Sequence, residues 1–249
     1  MTGSDGPGDR EWASAFPHRP LAPGEVRVYG ALLADLRPHR RQLAATLSPL
    51  ERDRAGCFRQ ARDRLEFTLA HGFLRTVLGL HLRAQPGAPG LLAGCPGRPR
   101  PAGGELDCSL ARTRGAAACA LASGRAVGVD LEFLDHLPEL QELVEAVLAP
   151  RERAAFDALP AGLRERAFLQ LWVCKEAVLK LDGAGLQVPP RDLEVAPACW
   201  AGTGFRTQSA SGPCRVRTFA FAGLFLGALA VRPDPAGVQL ARFTGPGRP

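Results

Sequence analysis

Apolar and polar residues alternate along VGVDLE at 127–132, so that Val127, Val129 and Leu131 fall on one side of an extended chain and Gly128, Asp130 and Glu132 on the other. The pattern predicts a strand with one core face and one face carrying two carboxylates. Further on, Leu163–Leu181 repeats its apolar positions at helical spacing and ends at Asp182-Gly183, where glycine supplies the left-handed turn that closes a helix. Trp172, Glu176 and Lys180 are four residues apart and share one face of that helix, with Lys175 and Leu179 on its flank.

The remaining elements follow from the same patterns. A first strand is predicted over Glu25–Leu36, alternating around Val26, Val28 and Tyr29. Ser48 caps a helix that opens with Pro49 and has Glu51 three residues after the cap. A second helix after it carries Leu65, Leu69, Phe73, Leu74, Val77 and Leu78 on one face. Residues 84–104 are mostly Gly, Pro and Ala and read as loop or short extended pieces, Leu106–Leu121 has strand-like density, and Ser123-Gly124 signals a turn. The pattern is helical from Pro138 to Leu159, with a fresh start at Pro150-Arg151-Glu152. Leu193–Val195, Arg215–Ala220 and Leu224–Val231 read as strands, the last two a hairpin across Ala222-Gly223. Residues 1–24 and 233–249 are read as a flexible leader and tail. The halves between them, 25–125 and 126–232, each hold strands plus one or two helices, which predicts an α+β protein of two similar halves.

Composition narrows the function classes. A chain of 249 residues with 46% hydrophobic and 22% charged positions is globular. Its net charge of +6 points to an anionic partner: nucleic acid, a phosphorylated metabolite or an acidic protein. Ten arginines and five acids lie between Arg19 and Arg64, most of them read as solvated helix faces. With no groove-reading motif or aromatic stacking platform, nucleic-acid binding ranks last. Seven cysteines, odd in number and without a C-x-x-C pair, signal neither a disulfide framework nor zinc and suggest reduced thiols in the cytoplasm. The N-terminus shows no secretory pattern and the apolar run Phe219–Val231 is too short to span a bilayer, so a soluble protein is expected.

Candidate chemistry centres on the strand and the long helix. Asp130 and Glu132 have α-carbons about 6.6 Å apart and leave one face. They repel unless a cation, such as Mg²⁺ or an arginine, sits between them; the alternative is an exposed strand face at a sheet edge. Glu176 and Lys180 have the spacing of an ordinary surface pair, but Leu171 and Trp172 make their flank apolar. A carboxylate from the helix reaching Asp130 and Glu132 would complete a metal site. Against 29 arginines the chain has only two lysines, Lys175 and Lys180, and both are on this helix; lysine is a compact point charge that can change protonation state. There is no P-loop, G-x-S-x-G, H-E-x-x-H or G-x-G-x-x-G opening a helix. The five histidines are scattered, and His71 reads as a core histidine.

VGVDLE at 127–132 and FLQLWVCKEAVLKLDGAGL at 168–186 resemble the two signature motifs of the 4′-phosphopantetheinyl transferases of the surfactin-synthetase-activator (Sfp) type. LSPLERDRAGCFRQARDR at 47–64 with AHGFLRTVLG at 70–79 is similar to the family's arginine-rich N-terminal region, and Gly97-Arg98-Pro99 to its G-K/R-P turn. The resemblance covers roughly 25–232 and implies two pseudo-symmetric α+β halves with the active site in the cleft between them. It implies transfer of the phosphopantetheine arm of coenzyme A to a serine of an apo acyl or peptidyl carrier protein, by a cytoplasmic monomer acting on neither membrane nor nucleic acid. By the same resemblance Asp130, Glu132 and Glu176 would hold Mg²⁺, Glu176 would take the serine proton, and Lys175 and Lys180 would neutralise the pyrophosphate. Arg54 and Arg98 would face the 3′-phosphate and Ser109 would also contact coenzyme A. Phe133, Leu134, Leu137 and Leu140 would meet the carrier, unless they pack between the halves. One segment departs: where the family has N-x-S-H-S, this chain reads Asp107-Cys108-Ser109-Leu110-Ala111. The missing histidine suggests that Arg112 or Arg114 replaces it, or that the chain is a non-catalytic carrier-binding member with weakened coenzyme A binding.

Overall fold

The computed structural model describes residues 12–13, 20–88, 92–93, 100–101, 104, 106–183, 188–195, 198–201 and 204–246. In chain order the elements are β1 (Trp12–Ala13), β2 (Glu25–Leu32), α1 (Leu33–Leu36), α2 (Arg40–Thr46), α3 (Pro49–Gly56), α4 (Ala61–Leu82), β3 (Leu92–Ala93), β4 (Arg100–Pro101), β5 (Leu106–Thr113) and β6 (Ala116–Ser123). There follow β7 (Ala126–Phe133), α5 (Leu140–Val147), α6 (Pro150–Asp157), α7 (Ala161–Asp182), α8 (Ala198–Ala201), β8 (Gly204–Ser209), β9 (Gly212–Phe221), β10 (Phe225–Arg232) and β11 (Gly237–Arg242). The protein is α+β, and its chain divides into two compact units.

The first unit runs from Trp12 to Gly124 and takes in the segment from Ala236 onward. Its sheet has the order β1-β11-β2-β6-β5. The stripe predicted on α4 is its core side: Leu69, Phe73, Leu74, Val77 and Leu78 are buried against Tyr29, Ala31, Cys119 and Leu121 of the sheet, while Leu65 is partly buried at the margin. The capping box at Ser48 forms as predicted, with Glu51 N–H on the Ser48 hydroxyl and Ser48 N–H on the Glu51 carboxylate.

Two expectations for this unit are corrected. The first strand stops at Leu32 rather than Leu36, because Leu33, Leu36 and Leu43 take helical spacing and bury together beside α4. The supposed tail holds strand β11, which pairs in parallel with β2, Gly237 opposite Glu25 and Arg242 opposite Gly30, and on its other side with β1. Leu240, Ala241 and Phe243 bury there, and Phe243 lies 5.0 Å from the ring of Phe73. Local composition around β11 is Pro/Gly-rich, but the free edge of β2 supplies the hydrogen bonds that make a strand of it.

The second unit contains Arg125–Pro235. Its sheet, β7-β10-β9-β8, is antiparallel throughout. The predicted hairpin forms between β9 and β10, with Ala222 and Gly223 both at positive φ in the turn. Helix α7 packs along one face of this sheet and closes on Gly183 at φ 73°. The strand expected at Leu193–Val195 is absent; a single 3₁₀ turn at Pro190–Asp192 stands before it, and the carbonyls of Pro190 and Leu193 are taken by a lysine instead of a neighbouring strand.

The two units share a topology that no residue-level repeat reveals. In each, a strand (β2 or β7) leads through short helices into a 22-residue helix, and a later hairpin returns a strand to pair with it, β6 with β2 and β10 with β7; β1 and β11 are added to the first unit alone. Among the described residues no helix is long and apolar enough to cross a membrane. The described cysteines are free thiols, all buried except Cys57.

Candidate active site

The site is built where α7 crosses β7, and a glycine sets the approach. A β-carbon added at Gly128 would lie 2.0 Å from the carbonyl oxygen of Ala177 and 2.5 Å from the amide nitrogen of Leu181. Only a residue without a side chain lets the helix backbone come this near. Beside it on β10, Ala230 pairs with Gly128 and Ala228 with Asp130, so small residues continue the seat for the helix. The face of β7 bearing Gly128, Asp130 and Glu132 is therefore the face that α7 covers, and Val127, Val129 and Leu131 opposite are buried as well. The strand carries its two carboxylates on one face as predicted, and the alternative of an exposed strand face is not what forms: both faces are covered, with Asp130 buried and Glu132 partly buried beside the helix.

Two contacts tie the helix to the strand. Lys180 Nζ lies 2.6 Å from Asp130 Oδ1, with side-chain exposures of 27% and 7%. Two turns earlier the indole N–H of Trp172 donates to Glu132 Oε1 across 3.3 Å. Glu176 stands midway between Trp172 and Lys180 on the same helix face. Burial, the Asp130 charge and the Glu132 charge push its pKa above the ordinary carboxylate value, opposed by Lys180. Asp130, Glu132, Glu176 and Lys180, read from the sequence as one group, are thus neighbours in the second unit.

Two oxygens in this group, Asp130 Oδ2 and Glu176 Oε1, are buried without a hydrogen-bond partner. An acceptor in that condition is costly unless something positive meets it. As they stand, no three His, Cys, Asp or Glu side chains among the described residues are gathered closely enough to form a metal centre. The donors that are present are hard carboxylate oxygens, two of them unsatisfied, and this chemistry fits a Mg²⁺-sized cation together with ligands from a substrate.

Lys175 is a correction. Its side chain is wholly buried and its ammonium lies 2.6 Å from Glu152 Oε2, also wholly buried. It donates as well to the carbonyls of Val147, Pro190 and Leu193 at 2.7–2.8 Å. With every hydrogen engaged it has none for a pyrophosphate. One residue along a helix is a turn of about 100°, which is enough to send Lys175 into the core and Glu176 into the site. The sequence marks its partner Glu152 only as the third residue of a helix; that carboxylate also accepts from the N–H groups of Ala149 and Val195.

The other named residues lie in the first unit, except for the carrier segment. Arg54 is exposed on α3 with its guanidinium 5.9 Å from the Phe67 ring centre. Ser109 is buried on β5, opposite Ala120. Arg98 lies outside the described residues. Leu110 packs against the core of that unit, and Arg112, on the same side of β5, lies 3.9 Å from Glu66 and over the Phe58 ring at 5.7 Å. In the second unit Leu134, Leu137 and Leu140 pack against the core and Phe133 meets Phe225 edge-on at 5.4 Å, so packing within the unit already engages all four.

Comparison with known proteins bears on the same region. The model of the 4′-phosphopantetheinyl transferase superfamily matches residues 126–229. The chain is 32% identical over 202 residues to the 4′-phosphopantetheinyl transferase HetI of Nostoc sp., covering 75% of this chain and 85% of HetI. It is 28% identical over 145 residues to a putative 4′-phosphopantetheinyl transferase of Synechocystis sp., covering 57% of this chain and 59% of that protein.

Proposed function

The chain belongs to the 4′-phosphopantetheinyl transferases, and on that premise we propose that it moves the phosphopantetheine arm of coenzyme A to a serine hydroxyl of an apo acyl or peptidyl carrier protein. The serine oxygen forms a bond to the phosphorus that bears the pantetheine. The bond from that phosphorus to the bridging oxygen of the pyrophosphate breaks, and adenosine 3′,5′-bisphosphate leaves.

The observation that carries this reading is the pair of unsatisfied oxygens on Asp130 and Glu176, next to the Lys180 ammonium. Asp130, Glu132 and Glu176 would hold Mg²⁺, which when bound neutralises pyrophosphate charge and polarises the phosphoryl group under attack. Trp172 orients Glu132 through its indole N–H. Lys180 is the one lysine left to meet the pyrophosphate, and it can turn its ammonium from Asp130 toward the leaving phosphate. Glu176, made more basic by burial and by its acidic neighbours, is suited to accept the serine proton directly or through a water. Arg54, Arg98 and Ser109 are assigned to coenzyme A, with Arg112 or Arg114 supplying the cation that Leu110 lacks. The reaction is placed in the cytoplasm and the acting species is a monomer.

The experiment is mass spectrometry of an apo carrier protein incubated with this protein, coenzyme A and Mg²⁺. A gain of one phosphopantetheine, abolished by Glu176→Gln, is expected. No gain with any carrier of fatty-acid, polyketide or nonribosomal-peptide type would overturn the assignment and favour a carrier-binding role without catalysis.

A further inference from the structure

Lys175 and Glu152 form an ion pair that the transfer chemistry does not use. The four acceptors of the ammonium come from the end of α5, the start of α6 and the segment 190–193. The Glu152 carboxylate in turn holds the N–H of Ala149, the residue just before α6, and the N–H of Val195. The end of α5, the start of α6 and the segment 190–193 are therefore all tied to a single residue of α7.

Apolar packing alone holds a helix at a distance but specifies its rotation weakly, because aliphatic contacts are not directional. The Gly128 seat sets how closely α7 approaches β7. Rotation about the axis needs a directional contact, and a buried ammonium with four acceptors provides one. A rotation of about 20° would swing a side-chain tip at a radius of about 6 Å by about 2 Å. Glu176 and Lys180 would then miss Asp130 and Glu132. We propose that Lys175 and Glu152 are positioning residues, a buried pair that sets the rotation of α7 so that the face bearing Trp172, Glu176 and Lys180 meets the carboxylates of β7. This rests on the reading of that face as the active site.

The test uses the full chain labelled with 5-fluorotryptophan, in the parental form and as Lys175→Met, Glu152→Gln and the double variant. The chain has three tryptophans, and Trp172 is assigned by its loss in Trp172→Phe. Each single variant leaves a buried charge or donor without its partner and should melt well below the parent, whereas the double variant restores the charge balance and should recover much of the melting temperature. In the double variant the Trp172 fluorine resonance should still be displaced while that of Trp12, in the other unit, stays in place. Turnover should remain down by about 10- to 100-fold. A double variant with parental Trp172 resonance, or with parental turnover once its melting temperature is recovered, overturns the proposal. So does a rise confined to the KM for coenzyme A, which would mean that Lys175 touches the ligand. The resonance is read without substrate, so it separates failure of this inference from failure of the assigned reaction.

Discussion

Lys180 and Asp130 are 50 residues apart in sequence and 2.6 Å apart in space, yet the second oxygen of that aspartate has no hydrogen-bond partner. Half of the carboxylate is answered by the protein itself and half is left for something else. This division underlies the prediction for Lys180→Met. Asp130 is buried and Lys180 only partly exposed, so removing the ammonium should cost about 1–3 kcal/mol of stability. Phosphopantetheine transfer by the protein that remains folded should fall by about 100-fold. Thermal melting and a single-turnover transfer assay on the same sample would check both halves, and a large loss of melting temperature with unaltered turnover would contradict the role given to Lys180.

Gly128→Ala tests the seat of the helix. The added methyl meets backbone atoms of Ala177 and Leu181, not the end of a flexible side chain, so the whole helix must shift. Overpacking of this kind costs about 1–3 kcal/mol or more. Urea denaturation should show that loss, and transfer should fall with it because Lys180 and Trp172 are displaced from their partners.

Glu176 predicts a pH dependence of stability in the metal-free protein. Its folded pKa is raised above the ordinary carboxylate value, so the folded state holds the proton longer than the unfolded chain. Its contribution is fully present below the ordinary glutamate value of 4.5 and is lost as pH rises through the higher folded value. Subtracting the melting profile of Glu176→Gln from that of the parent should isolate this decline. Saturating Mg²⁺ should flatten it, and a difference profile that rises with pH would refute the assignment.

Glu51 predicts the opposite sign in the first unit. Burial opposes its ionisation, but hydrogen bonds from His71, the Ser48 N–H and Arg75, with the Arg75 charge, hold its pKa down to about 2. Its stabilisation is present above the ordinary value and disappears as pH falls toward 2. Arg75 lies 2.5 Å from it and is nearly inaccessible. Glu51→Ala leaves that guanidinium buried without its carboxylate and should cost about 3–5 kcal/mol by urea denaturation at neutral pH.

Much of the protein was legible in its sequence because local periodicity reports which side of an element is covered. The stripe on α4, the cap at Ser48, the hairpin at Ala222-Gly223 and the end of α7 at Gly183 all follow from residues within a few positions of one another. Grouping Asp130 and Glu132 with Glu176 and Lys180 drew on their two faces and on the family pattern. What sequence could not separate is the pair of lysines. Lys175 and Lys180 are the same residue type on one helix, and only the tertiary structure sends one into a buried pair with Glu152 and the other to Asp130. The same holds for β11, whose Pro/Gly-rich surroundings read as tail until the edge of β2, more than 200 residues earlier, is brought beside it. A side chain's partners are set by which elements the fold brings together, and those contacts span tens to hundreds of residues that no local pattern connects.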